Sequence, residues 1–217
     1  MQTLSDRVFD LQPPGGMFDE TVIVNLLADR SSGARRALLH RAIAAGDVLR
    51  LKPGLYCLAP RLRRSDPHPY VVAGMLHAPS QISLETALSY HGLIPEAVYQ
   101  VASVTGQRSR TFSTPLGQFV FARVPCDALR AGVRVQQVAP NAWAFVSDPL
   151  RAIADLVYLR RDVRWNRAGL GFLTESLRIE PEDLRAMPLD AFDEVRESIH
   201  NKRTAGYLDG LQRELTR

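Results

Sequence analysis

Between Ser31 and Ala44 the apolar and polar side chains recur on a helical period. Placed at steps of about 100°, Leu38, Leu39, Ala42 and Ile43 share one arc, while Arg36, Ala37, His40, Arg41 and Ala44 occupy the other. The spacing predicts an amphipathic helix with one packed and one free face. Ser31 or Ser32 suits its N-cap, and Gly46 suits its C-terminal stop. The period then shortens: residues 47–51 and 55–58 read as strands around Lys52-Pro53-Gly54. In that turn proline fixes one φ and glycine accepts a positive one.

Elsewhere the pattern is mixed. Residues 19–28, DETVIVNLLA, are more apolar than a solvent-facing helix requires. The Pro13-Pro14-Gly15-Gly16 break leaves room for only a short helix before them, so the number of N-terminal helices stays open. Three prolines and several charges in PRLRRSDPHP, residues 60–69, predict a linker. Helices are then expected over 70–76 and 83–91, followed by strands at 100–105, 110–114, 117–123, 133–138 and 141–146. Pro149 can open a further helix at its first turn, with Ile153, Leu156 and Val157 on one face. Phe192, Val195 and Ile199 recur at helical spacing, as do Tyr207, Leu208, Leu211 and Leu215. Stripes of this kind serve a core, with an oligomer interface as the alternative.

Charge changes the picture most in one place. Between Ala28 and Arg64 nine Lys or Arg face two acids, a local excess of seven in a chain whose net charge is +4. The sequence beyond Arg64 is balanced, so the positive field belongs to the N-terminal segment, and a polyanion is its natural partner. A helix followed by a hairpin with basic residues at base and tip is the arrangement of a winged helix. Arg36, His40 and Arg41 would then enter the major groove, where small Ala37 and Ala44 permit close approach. Arg35, Arg50 and Lys52 would neutralise phosphate. The bland alternative is an ordinarily solvated basic face.

Two later segments extend the pattern. Gly46-Asp47-Val48-Leu49-Arg50-Leu51-Lys52-Pro53-Gly54-Leu55-Tyr56 resembles the wing of the AbiEi-type antitoxins of type IV toxin–antitoxin and abortive-infection systems. The stretch SLETALSYHGL, from Ser83 to Leu93, is similar to that family's serine-to-glycine helix and turn, and DPLRAIADL, from Asp148 to Leu156, to its later proline-led helix. The resemblance implies an α+β chain in two parts. Residues 1–62 would be a winged helix-turn-helix that represses its own operon at inverted repeats in double-stranded DNA. Residues 63–217 would be a mixed helix and antiparallel-strand domain needed for antitoxicity. It also implies a separate nucleotidyltransferase toxin, opposed without a stable complex.

Candidate catalytic chemistry is not evident. The chain has no GxxxxGK[ST] loop, GxGxxG fingerprint or GxSxG elbow. Its five histidines lack HxH and HExxH spacing, so no metal site is expected. A metal-dependent nuclease would need an acid two residues before a lysine. Arg50 precedes Lys52 and His200 precedes Lys202, so that element cannot be drawn. Cys57 and Cys126 are isolated, predicting neither disulfide nor CxxC site. His91, before Gly92, reads as a structural group at a helix end. No stretch has the length of a membrane span and the N-terminus lacks a signal-peptide pattern, so a cytoplasmic protein without cofactor or catalytic activity is expected. Two other readings are a winged-helix module that mainly binds protein and a defence nuclease with an unrecognised site.

Overall fold

The computed structural model describes residues 2–95, 99–166 and 169–217. Helix α1 (Leu4–Leu11) starts at a reciprocal cap. The Thr3 hydroxyl accepts from the Asp6 amide at 3.1 Å, and the Asp6 carboxylate accepts from the Thr3 amide at 2.9 Å. The chain then turns through Pro14–Gly16 into strand β1 (Met17–Asp19). Gly15 has a φ of 61°, and a Cβ there would lie 2.7 Å from the Pro67 backbone. The Pro-Pro-Gly-Gly stretch is therefore a close crossing of two chain segments, which only a residue without a side chain permits.

Asp19 caps helix α2 (Glu20–Leu26), accepting from the Val22 amide at 3.0 Å, and Arg7 closes its far end on the Leu26 carbonyl at 2.7 Å. Helix α3 (Ser32–Ala44) follows, with the Ser31 hydroxyl accepting from the Ala34 amide at 3.3 Å. The apolar character of residues 19–28 has its reason in packing: Ile23 and Leu27 are buried with Leu4, Val8, Phe18, Ala42, Val48, Tyr56 and Leu58. Among the described residues, three helices serve this N-terminal core.

Strands β2 (Val48–Lys52) and β3 (Leu55–Leu58) are joined through Pro53 and Gly54, the glycine at a φ of 81°. The sheet has the order β1-β3-β2 and is antiparallel throughout. Side-chain alternation divides it between two cores. Phe18, Val48, Tyr56 and Leu58 face the helices, while Met17, Leu51, Leu55 and Cys57 join the core of the rest of the chain. Every residue of β3 is buried, so packing continues across the linker expected at residues 60–69.

That linker is a 3-10 turn, Pro60–Leu62, and a short connection to helix α4 (Pro69–Leu76). Its arginines hold the chain in place. Arg61 donates to the Gly46 carbonyl at 3.1 Å and pairs with Asp47. Arg63 pairs with Asp66 at 2.6 Å, with only 8% of its side chain exposed, and Arg64 lies over the Phe9 ring.

The second part opens with strand β4 (Gln81–Ile82) and helix α5 (Leu84–Tyr90). Strands β5 (Gln100–Thr105), β6 (Arg110–Thr114), β7 (Gly117–Arg123), β8 (Val133–Ala139) and β9 (Ala142–Ser147) complete a six-stranded sheet of order β6-β7-β5-β4-β9-β8. Helices α6 (Pro149–Leu159), α7 (Pro181–Arg185), α8 (Ala191–Ser198) and α9 (Lys202–Leu215) close the chain. The expected antiparallel sheet is mixed instead, because β5 pairs with β7, and β4 with β9, in parallel. Alternation of side chains reports burial and not strand direction. β7, with buried Phe119 and Phe121, takes an interior position, whereas β6, with exposed Arg110, Thr111 and Ser113, takes the edge.

One polar group lies at the centre of this part. Arg151 and Asp155, one helical turn apart on α6, form an ion pair at 3.0 Å with neither side chain exposed. Asp155 also accepts from the Ser83 hydroxyl at 2.7 Å, and Arg151 donates to the Ala131 carbonyl at 2.8 Å. Leu84, directly after Ser83, is held at a φ of 57°, a left-handed conformation that L-residues seldom adopt. Gly132 leaves room for the arginine, since a Cβ there would lie 2.8 Å from Arg151 Cβ and 2.9 Å from Val195 Cγ2. Asp155→Ala strands the guanidinium in the interior and is expected to lower stability by about 3–5 kcal/mol, more than Arg151→Met/Asp155→Leu lowers it. Urea unfolding followed by circular dichroism measures both, and a double variant less stable than the single one would contradict this account.

Candidate nucleic-acid interface

Helix α3 exposes the face that its periodicity predicts. Arg36, Ala37, His40, Arg41 and Ala44 are exposed, Ala42 is buried, and Leu38, Leu39 and Ile43 are half-buried against the N-terminal core. Arg35 is half-buried on the first turn. The cap at Ser31 uses a side-chain oxygen for the Ala34 amide, which fixes where the helix begins and which residues its first turn presents. At the other end Gly46, at a φ of 69°, releases the chain toward β2.

Arg50 belongs with this helix. It stands opposite Tyr56 in the β2–β3 ladder, on the sheet face whose other members, Val48, Leu58 and Phe18, pack against α1–α3. It is exposed, and among the described residues no carboxylate pairs with Arg35, Arg36, Arg41 or Arg50. Four guanidinium groups therefore keep their full field near one helix, where an anion can meet it.

Lys52 is placed differently from the expected phosphate clamp. Strand alternation assigns Arg50 and Lys52 to one side of the hairpin, but the register shifts between them, and Lys52 pairs with Leu55 on the opposite face. Its ammonium donates to the Met75 and Leu76 carbonyls at 2.9 and 2.8 Å, closing the C-terminal end of α4. Burial, and then the neighbouring charge of Arg110, lower its pKa. The Glu20 carboxylate lies beside the hairpin tip, where a Cβ on Gly54 would be 3.8 Å from it. Nothing in a period of two announces such a bulge.

His91 ends α5, and its ring nitrogen Nε2 lies 2.9 Å from the Ser147 carbonyl oxygen, tying the helix to the end of β9. Cys57 is buried, and burial raises its thiol pKa. Among the described residues no group of three or more His, Cys, Asp or Glu is arranged to hold a metal ion, and no helix is long and apolar enough to cross a membrane.

No family model and no curated protein matches this chain. Lys52→Met removes the two bonds that close α4 and is expected to lower stability by about 1–2 kcal/mol. An unchanged midpoint of urea unfolding in that variant would show that Lys52 is a solvated cation and not a link between the two parts of the fold.

Proposed function

We propose that this chain is a DNA-binding antitoxin and autorepressor, acting through binding and not catalysis. The observation that carries the proposal is the exposed α3 face, in which Arg36, His40 and Arg41 flank small Ala37 and Ala44, with Arg50 on the same side of the adjoining sheet. The element order helix, strand, helix, helix, strand, strand, with β3 between β1 and β2, supports reading residues 1–62 as a winged helix-turn-helix. In this reading α3 enters the major groove, where bidentate arginine contacts to base edges discriminate sequence. Arg35 and Arg50 neutralise flanking phosphates. The wing contributes through Arg50, because Lys52 is engaged with α4.

The antitoxin part rests on the similarity of the three sequence segments to AbiEi-type proteins. The contact of Ser83 with Asp155 gives those segments a common structural purpose, since it joins the second to the third. On this basis the partner is a cytoplasmic nucleotidyltransferase toxin, opposed without a stable complex, and the DNA target is an inverted repeat upstream of the chain's own reading frame.

Anisotropy titration with that upstream duplex tests the DNA reading. If about four phosphates are neutralised, log K falls with log salt at a slope of about −3.6. Arg50→Ala should weaken all sequences alike and reduce the slope by about one, whereas Arg36→Ala should cost about 1–3 kcal/mol selectively on the cognate site. Absence of duplex binding at low salt would sink the proposal. The antitoxin reading is tested at the reading frame next to the chain's own: a nucleotidyltransferase is expected there, with growth restored on co-expression, and its absence would count against the reading.

A further inference from the structure

A second concentration of positive charge lies in the other part of the chain. Arg123 at the end of β7, Arg161 and Arg164 after α6, and Arg203 in the first turn of α9 line one cavity of about 550 Å³ together with Tyr158 and Asn201. The strands and helices that supply these arginines are far apart in sequence, so the local run Arg160-Arg161-Asp162-Val163-Arg164 shows only part of the cluster.

The four cations have unequal freedom. Arg203 is fixed: its guanidinium donates to the Val157, Tyr158, Arg160 and Val163 carbonyls at 2.6, 2.9, 3.0 and 2.7 Å. It thereby consumes the acceptors at the C-terminal end of α6 that would otherwise repel an anion. Burial, and then the charge of Arg164, lower its pKa. Asp162 is the carboxylate that opposes this, and Arg161 adds further repulsion. Arg123, Arg161 and Arg164 are exposed and form no ion pair among the described residues. Of the other acids in this part, Glu85 pairs with Arg160 and Asp127 with His200, which leaves Asp162 as the carboxylate that acts on the cluster. Asn201, which accepts from the Thr204 amide at 3.0 Å, aligns the start of the 14-residue helix α9 beside the same cavity.

Like charges that converge on a concave surface focus potential, and a multiply charged anion relieves their repulsion. Guanidinium groups match phosphate oxygens in a two-pronged geometry. The volume is in the range of small-ligand sites, roughly 300–1,000 Å³, and its concavity suits a compact ligand better than the extended backbone of a duplex. We infer that this cavity binds a polyphosphate group, with Arg161 and Arg164 as exposed clamps, Arg123 as a third contact and Arg203 as the fixed floor.

The test is isothermal titration of the full chain with inorganic tripolyphosphate and, separately, with ATP and GTP, at low salt without divalent metal. Tripolyphosphate is expected to bind. Arg161→Glu/Arg164→Glu should weaken it at least tenfold with an unchanged thermal unfolding curve. The control Arg30→Glu/Arg185→Glu, which removes the same charge elsewhere, should retain binding. A nucleotide that binds tenfold or more tighter than tripolyphosphate would identify a nucleoside polyphosphate as the source, and equal affinities the phosphate chain alone. No binding of any of the three, equal loss in the control, or binding indifferent to Arg161→Glu/Arg164→Glu would overturn the inference. So would a double variant that loses duplex DNA affinity while the native chain fails to bind tripolyphosphate, because the arginines would then be a nucleic-acid surface.

Discussion

Two opposite charges without solvent exposure, Arg151 and Asp155, lie where the second part of the fold converges. Removing such groups from water costs several kcal/mol for each ion, and their attraction offsets that cost only when the remaining hydrogen-bonding capacity is met. Here it is met by the Ser83 hydroxyl at the start of α5, by the Ala131 carbonyl before β8 and by the Cys126 sulfur. Burial works to raise the Asp155 pKa, while Arg151 and the Ser83 hydroxyl act to keep the carboxylate charged. The pair therefore sets the relative position of two helices and a loop, and Gly132 and the left-handed Leu84 are local accommodations to it.

The N-terminal sheet depends on a similar economy of surfaces. Its three strands are too few to bury both of their faces alone, and they serve as a wall between two cores. Cys57, Leu55 and Met17 belong to one side, and Tyr56, Leu58 and Phe18 to the other. The bulge between Arg50 and Lys52 adjusts this wall at its edge. It lets Lys52 reach the carbonyl end of α4 while Arg50 stays with α3. One cation thus joins the two parts of the molecule, and its neighbour remains available to an anion.

The charge excess of the N-terminal segment is correspondingly divided. Arg61, Arg63 and Lys52 are spent on internal partners, Arg30 pairs with Asp29, and Arg64 lies over Phe9. The arginines left without such a partner are concentrated on α3 and at Arg50. In the C-terminal part the reverse holds: a balanced composition conceals a local excess, because Arg123, Arg161, Arg164 and Arg203, distant in the chain, gather around one cavity.

The helix of residues 32–44, the two serines able to cap it, its packed and free faces, and nearly every later strand were legible along the chain. These follow from nearest-neighbour chemistry and from periods that a chain carries along its own length. The sequence left the short N-terminal elements open, because their apolar residues serve a core built from α1, α2, α3 and the hairpin together. Tertiary structure decided the rest. Parallel pairing of β5 with β7, the inward turn of Lys52, the Ser83–Asp155 contact and the gathering of four arginines all join residues distant in the chain. A period records which side of an element is buried. It carries no information about which distant partner does the burying, and on that choice the placement of each charge depends.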